Sequence, residues 1–149
     1  MKPEQREWIS EARKLGDFDR LLQAIPYVRF LGLRALAREG DLLLHMPGAD
    51  HLIGNPVLPA LHGGTVGALL ESTAILKLLY ESDSIGVPKT ITLTVDYLRS
   101  GRVVDTWARA AITRLGRRVA NVQVRAWQEQ EDRPIAVAHG HFLLRSPED

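Results

Sequence analysis

Cysteine is absent from the 149-residue sequence. Its absence excludes disulfide-bonded scaffolds, zinc sites built on cysteine and a catalytic thiol. The sequence also lacks an excess of one charge, because 19 Lys and Arg residues stand against 18 Asp and Glu residues. A dedicated nucleic-acid-binding domain carries a clearly basic surface, so this balance argues against nucleic acid as a partner.

Long hydrophobic runs are missing as well. No stretch of 18 apolar residues occurs, and the first residues, MKPEQREWISEARK, contain no apolar core of a secretion signal. We therefore expect a cytoplasmic protein with no membrane partner. The composition, 45% hydrophobic and 25% charged, is that of an ordinary globular chain. One domain over residues 1–149 is expected, with a core that needs no metal or disulfide.

The first 25 residues carry a helical pattern. Apolar residues recur at three- and four-residue spacing from Trp8 to Ile25, which predicts amphipathic helices. Gly16 can end one helix, and Asp17 can cap the next. Residues 1–25 are therefore predicted to form an N-terminal helical extension.

The rest of the chain predicts one long helix among strands. Residues 64–81 are apolar around nearly the whole circumference, which is typical of a buried helix. The Pro- and Gly-containing stretch 47–61 is predicted to be a loop. Short turns between strands favour antiparallel hairpins, whereas a parallel sheet needs crossovers. We predict an α+β fold in which one antiparallel sheet curls around one central helix. The predicted strands are 33–37, 42–46, 90–97, 103–114, 118–128 and 134–144.

The strand over residues 90–97 shows the clearest alternation of apolar and polar side chains. Such alternation predicts one face toward the core and one toward solvent. The apolar positions are Ile91, Leu93, Val95 and Tyr97, and the polar positions are Thr90, Thr92, Thr94 and Asp96.

The segment His62-Gly63-Gly64 opens the long helix. The first backbone N–H groups of a helix have no partner within the helix, and the helix dipole adds partial positive charge there. Such a terminus can bind an oxyanion or a polarised carbonyl, and glycine lets a ligand approach the backbone closely. We predict that this helix terminus contacts the substrate.

Glu71 lies further along the same helix, among small and apolar neighbours that offer no positive charge. Burying an unpaired carboxylate is costly. A carboxylate in such surroundings is suited to act as a general base or a nucleophile. The alternative is that this part of the helix reaches solvent and Glu71 is a surface residue.

Gly63 and Glu71 are eight residues apart, which is about 12 Å along a helix. One carbonyl carbon therefore cannot readily meet both groups of the same chain. Two such helices lying antiparallel across a twofold axis would bring each glutamate to the glycine end of the other. The spacing favours a composite site at a homodimer interface, with two copies per dimer.

The order of these motifs resembles the hotdog-fold acyl-CoA thioesterases of the phenylacetate-degradation and 4-hydroxybenzoyl-CoA thioesterase type. The resemblance implies a sheet wrapped around a long helix, a homodimer or homotetramer, and hydrolysis of an aryl- or medium-chain acyl-CoA to the free acid and coenzyme A. It spans residues 26–144 and rests on Leu31-Gly-Leu, Asn55, His62-Gly-Gly, Glu71, the strand ending Tyr97-Leu-Arg-Ser-Gly and the Gly116-Arg-Arg hairpin.

The resemblance also implies roles for single residues. Gly63 would polarise the thioester carbonyl through its backbone N–H, and Glu71 would attack it or activate water. Asn55 would help to position water or the thioester, Thr90 would support the water, and His62 would orient the loop. No metal or redox cofactor is implied, and coenzyme A enters only as part of the substrate.

Coenzyme A would need phosphate contacts, and arginine binds phosphate through a planar pair of donors. Between Lys89 and Arg125 the chain carries eight basic and two acidic residues. We predict that Gly64 contacts the substrate and that Arg99, Arg117 and Arg118, near strand ends, contact its phosphates. The alternative is that these arginines lie on solvated strand faces.

Two other functions fit part of the pattern. A non-catalytic protein that binds acyl-CoA or an acyl carrier could use the same pocket. Hydration or dehydration chemistry on this fold normally calls for an Asp/His pair, and none is evident near the helix start.

His139 and His141 share a strand face, but zinc needs three or four ligands and no third is evident. We therefore expect a thioesterase without a metal.

Overall fold

The structure is a computed structural model that describes residues 3–145. No helix among these residues is long and apolar enough to cross a membrane. The helices are α1 (Pro3–Leu15), α2 (Phe18–Gln23), α3 (Pro26–Leu31) and α4 (Gly63–Glu81), with a short 3-10 helix at Asp50–Leu52. The strands are β1 (Arg34–Arg38), β2 (Asp41–Met46), β3 (Ile53–Asn55), β4 (Ala60–Leu61), β5 (Lys89–Tyr97), β6 (Thr106–Leu115), β7 (Val119–Trp127) and β8 (Ala136–Leu143).

Six of the strands form one antiparallel sheet in the order β1-β2-β6-β7-β8-β5. α4 packs across its inner face, against β2, β5, β6, β7 and β8. The predicted fold, an antiparallel sheet around one long helix, is therefore confirmed. The order also makes β5 an edge strand, which pairs on one side with β8.

The apolar circumference of α4 is explained by its surroundings. The helix shares one hydrophobic core with inner-face residues such as Ala108, Val122 and Phe142 of the sheet. Side chains of the N-terminal helices, among them Phe18 and Leu22, join the same core. α4 is thus covered by the sheet and by helices, as a helix that is apolar all round requires.

Arg13 ties α1 to the C-terminal end of α4. Its guanidinium donates to the carbonyl of Leu79 at 3.1 Å, to that of Ser84 at 2.9 Å and to that of Ser82. The last carbonyl groups of a helix have no partner within the helix, so a cation stabilises them. Burial lowers the pKa of Arg13 from its ordinary value, and the Asp83 carboxylate opposes this shift.

Two segments differ from the sequence prediction. The stretch 47–61 is not only a loop, because it contains the 3-10 helix and a two-stranded sheet of β3 and β4. α3 is an additional helix that the apolar spacing does not predict. Pro26 occupies its first turn, where a missing N–H costs nothing, and Gly32 ends it with a φ of +70°.

A β-bulge in β5 changes which of its side chains face the helix. Thr90 pairs with Phe142 and Thr92 pairs with His141, so Ile91 is an extra residue in the ladder. Phe142 is fully buried on the inner face, and Thr90 therefore points inward while Ile91 is exposed. The even alternation predicted for this strand is wrong at these two positions.

Candidate functional site

Glu71 contacts the beginning of β5. Its Oε1 accepts a hydrogen bond of 2.6 Å from the Thr90 hydroxyl. The bulge at Ile91 makes this contact possible, because it turns Thr90 toward α4. The Glu71 side chain is half-buried, and it forms no ion pair within the described part of the chain. The carboxylate thus has one oriented oxygen and no neutralising cation.

An apolar cavity of about 310 Å³ lies beside Glu71. α4 forms one wall, with Ser72 and Ile75 next to the carboxylate. The N-terminal helices form the opposite wall, with Trp8 and Leu21 among its residues. Of the described residues that line this cavity, Glu71 is the one that carries a charge. A carboxylate therefore lies in the wall of an otherwise apolar recess.

His62 caps the N-terminus of α4. Its ring Nδ1 accepts a hydrogen bond of 2.8 Å from the Gly64 N–H, which places the proton of a neutral ring on Nε2. The Gly63 N–H has no hydrogen-bond partner within residues 3–145. The cap thus occupies the Gly64 N–H and leaves the Gly63 N–H as a donor for a ligand.

Tyr97 covers the same helix terminus, and the sequence pattern does not mark it as a site residue. Its hydroxyl donates to the Gly63 carbonyl at 2.7 Å, and its ring lies 3.4 Å from where a Cβ at Gly63 would stand. The available signal was its place at the end of the inner face of β5. Tyr97 thus fixes the Gly63–Gly64 peptide, which directly follows the peptide that carries the free Gly63 N–H.

Asn55 stabilises the loop that leads into α4. Its Oδ1 accepts hydrogen bonds from the N–H groups of Val57 at 3.0 Å and Leu58 at 3.2 Å, which is an Asx turn. Its side-chain nitrogen makes no hydrogen bond within the range 3–145. A role in holding water or a thioester stays a prediction.

The site residues form two groups that contact β5 at opposite ends. Glu71 and Thr90 lie at the start of the strand, and Gly63 and Tyr97 lie at its end. The two groups are separated by about 12 Å along α4 and by about 20 Å along β5. A single chain does not bring Glu71 and Gly63 to one carbonyl group.

The three arginines proposed as phosphate contacts also lie at two ends. Arg117 and Arg118 are exposed in the β6–β7 hairpin, which the strand register places toward the Thr90 end of the sheet. Arg99 is exposed beyond the other end of β5, where its N–H donates to the carbonyl of Ile135. Within one chain these arginines do not converge.

The histidines on β8 lie on the outer face of the sheet. His141 Nδ1 is 2.9 Å from the Thr92 hydroxyl, and both His139 and His141 are exposed. Over residues 3–145, no group of three or more His, Asp or Glu side chains is placed to hold a metal ion.

An antiparallel sheet wrapped around one buried helix, with a glycine-rich helix terminus and a carboxylate along that helix, defines a hotdog-fold protein of thioesterase type. A family model, the Thioesterase superfamily, matches residues 58–135. The chain belongs to this superfamily, and membership supports acyl-CoA thioesterase activity in general terms.

Solved structures share this fold. A protein from Chromobacterium violaceum is 34% identical, with a TM-score of 0.78 over 95% of this chain and 98% of that one. A protein from Ralstonia eutropha, described as phenylacetic acid degradation-related, is 25% identical, with a TM-score of 0.72 over 85% of this chain and 98% of that one. A Bacillus halodurans protein solved with CoA is 18% identical, with a TM-score of 0.73 over 98% and 97%. A search of curated proteins found no match.

Proposed function

We propose that this protein hydrolyses the thioester of an aryl- or medium-chain acyl-CoA to the free acid and coenzyme A. The observation that carries the proposal is the Glu71 carboxylate, oriented by Thr90 in the wall of an apolar cavity. The CoA in the Bacillus halodurans structure and the description of the Ralstonia eutropha protein support this substrate class.

In the proposed reaction, a water molecule attacks the thioester carbonyl carbon while Glu71 takes one of its protons, a contribution of about 10²–10⁴ in rate. The carbonyl oxygen becomes an oxyanion, and a hydrogen bond from a Gly63 N–H stabilises it and raises the rate by about 10²–10³. The C–S bond then breaks, and the thiolate takes the proton from Glu71. No metal or redox cofactor takes part. An acyl-enzyme trapped by rapid acid quench would indicate direct attack by Glu71 instead.

The edge strand β5 supplies the proposed dimer contact. Its nine residues have no partner on one side within the described chain, and such an edge is a template for another strand. Antiparallel pairing centred on Thr94 would set Thr90 opposite Tyr97 of the partner subunit, since the bulge moves Thr90 onto the inner face, where Tyr97 also lies. Glu71 then approaches Gly63 of the partner subunit, and the twofold axis creates two such centres. The resemblance extends this homodimer to a homotetramer.

The same pairing would bring the three arginines of the two subunits close together. Arg99 follows Tyr97, so this pairing carries it toward the end of the neighbouring sheet where Arg117 and Arg118 lie. We place the phosphates of coenzyme A at this junction, since guanidinium groups bind phosphate through paired donors.

The reaction is tested by following free thiol release from a panel of acyl-CoA esters. Glu71→Gln keeps the shape of the side chain but cannot accept a proton, so kcat should fall by about 10²–10⁴. The matched control is Glu7→Gln, a change at an exposed glutamate of α1 that should leave kcat unchanged. Binding of the CoA ester by wild type and Glu71→Gln, with thiol release by both only at the background rate, would favour a non-catalytic binding protein.

The two-chain centre is tested by mixing inactive variants. Gly63→Pro removes the N–H at the first helical position, which tolerates proline, and His62 has the extended φ of −62° and ψ of 129° that precede proline well. Random exchange between Gly63→Pro and Glu71→Gln subunits makes half of the dimers hybrid, each with one intact centre. About a quarter of wild-type activity should return. No recovery after demonstrated subunit exchange would place the centre within one chain.

A further inference from the structure

The cavity beside Glu71 is built by two distant parts of the sequence. Ile75, Leu76 and Leu79 of α4 line it, and so do residues of α1, α2 and α3. The outer wall is held in place by Arg13, which links the end of α1 to the end of α4. The N-terminal helices therefore form the side of this space that faces α4.

The lining indicates what kind of group can fill the cavity. Its walls are mostly aliphatic and aromatic, and Glu71 is the one charged residue among the described residues that line it. The other polar side chains in the lining are those of Ser72, Tyr27 and Trp8. A protein surface docked here would bury the Glu71 carboxylate without a compensating charge, which is costly. An acyl group avoids that cost, because its carbonyl end lies at Glu71 and only hydrocarbon enters the recess.

The volume sets the size of the acyl group. An apolar protein cavity of about 150 Å³ is known to hold one benzene molecule. The present cavity, of about 310 Å³, is about twice as large. Because benzene has six carbons, the same ratio gives room for a straight chain of about ten to twelve carbons, or for a phenyl ring with a short chain.

Ile75 is placed to control how deep a chain can enter. It follows Glu71 by four residues, so the two side chains are neighbours on one face of α4. Ile75 is half-buried and lines the cavity one turn beyond the carboxylate. A smaller side chain there would lengthen the recess, and a larger one would shorten it.

We propose that the helices α1, α2 and α3 form the acyl pocket against α4, and that Ile75 sets the longest chain the pocket accepts. The inference rests on the proposed thioesterase function, which it deepens by assigning the acyl specificity to the N-terminal helical extension. Aryl groups and medium straight chains are the ligands that fit.

The test measures binding and turnover separately. Straight-chain acyl-CoA esters from four to sixteen carbons are titrated into Glu71→Gln, which binds without hydrolysis, and the emission of Trp8 in the cavity wall is followed. Affinity should rise about fourfold per methylene and level off near about twelve carbons. With Glu71→Gln as the background, Ile75→Ala should move the plateau about two carbons longer, and Ile75→Phe should move it shorter. Trp8→Phe should remove the emission change.

Ile112→Ala is the matched control, because Ile112 is half-buried against the same core but does not line the cavity. In the Glu71→Gln background, affinity in the Ile112→Ala variant should level off at the same chain length as in Glu71→Gln alone. An affinity independent of chain length, or equal shifts in the Ile75 and Ile112 variants, would overturn the pocket assignment. Binding with the expected plateau but no hydrolysis by wild type would overturn the thioesterase proposal and leave the pocket standing. Hydrolysis by wild type with an affinity independent of chain length would overturn the pocket assignment and leave the thioesterase proposal standing.

Discussion

At the scale of single residues, the site depends on how two polar groups are oriented. Thr90 holds one oxygen of Glu71, and Tyr97 holds the carbonyl of Gly63. Neither contact neutralises charge, so each leaves its partner free to act on a substrate. Both contacts come from one face of one strand, and a change in the register of β5 would disturb them together.

Thr90→Val tests whether the hydrogen bond to Glu71 serves catalysis. The substitution keeps the shape and removes the donor, and a hydrogen bond to a charged, half-buried group is worth about tenfold in rate. We expect kcat to fall by about that factor with KM unchanged, measured by thiol release.

Thr92→Val is the control for that change, because Thr92 lies on the outer face of the same strand. Thr90→Ser should recover the lost rate, since it restores the hydroxyl. An unchanged kcat in Thr90→Val would assign the threonine a structural role only.

The sequence pattern predicts part of this site and misses part of it. His62, Gly63 and Glu71 are visible because polar or glycine residues at set places in an apolar helix are unusual. The inward turn of Thr90 is not visible, because a bulge adds one residue without changing the composition of the strand. Tyr97 reads as an ordinary apolar position in the alternation, although its hydroxyl reaches the helix terminus.

At the scale of elements, α4 carries one more polar feature, a buried lysine. Lys77 is 8% exposed, and its Nζ lies 2.6 Å from Asp41 Oδ1 and 2.5 Å from Glu81 Oε1. Burial lowers the pKa of Lys77, but the hydrogen bonds and charges of Asp41 and Glu81 outweigh this and raise it above its ordinary value. The pair with Asp41 joins the central helix to the β1–β2 hairpin.

Lys77→Met should destabilise the fold in a way that depends on pH. Removing the lysine leaves Glu81 with no ion pair in the described chain and Asp41 with only the more distant Arg109, at 3.8 Å. Because both carboxylates are partly exposed, the free energy of unfolding should fall by about 1–3 kcal/mol near neutral pH. Because the pKa of Lys77 is raised in the folded protein, its charge contributes its full stabilisation below the ordinary pKa of 10.5. This contribution is lost as the pH rises through the raised pKa.

Urea unfolding of wild type and Lys77→Met at about pH 7.5 and about pH 11.5 measures this effect. The difference between the two proteins should be smaller at the higher pH. A difference that is the same at both values would show that the lysine acts through packing rather than through its charge.

The elements themselves follow closely from the sequence where a long pattern exists. α4 and the strands of the large sheet are predicted within a few residues, since α4 is apolar all round over its whole length and the strands repeat the burial of one face. α3, β3 and β4 are not predicted, because two to six residues are too few to show a period. Their conformation is set by tertiary contacts, such as the hydrogen bond from the His62 N–H to the Leu52 carbonyl.

At the scale of the whole molecule, the open edge of β5 governs the proposed assembly. Thr94 is exposed in the middle of that strand and would lie opposite itself across the twofold axis. Thr94→Asp would therefore place two like charges directly opposite each other, which is destabilising in a strand pair. We expect the dimer to dissociate and thiol release to fall with it, as measured by sedimentation and by assay.

Thr113→Asp provides the comparison, because Thr113 is an exposed threonine of β6, a strand that pairs with β2 near its start and with β7 along its length and is not the open edge at β5. It should sediment like wild type. A Thr94→Asp protein that remains dimeric would move the interface away from β5.

The distance between Gly63 and Glu71 on one rigid helix has a kinetic consequence. Under the proposed arrangement an isolated subunit carries only half of each centre. Dissociation of the dimer on dilution would therefore inactivate both centres together. Specific activity would then rise with enzyme concentration until association saturates. The cellular abundance of the protein would itself act as a threshold for turnover.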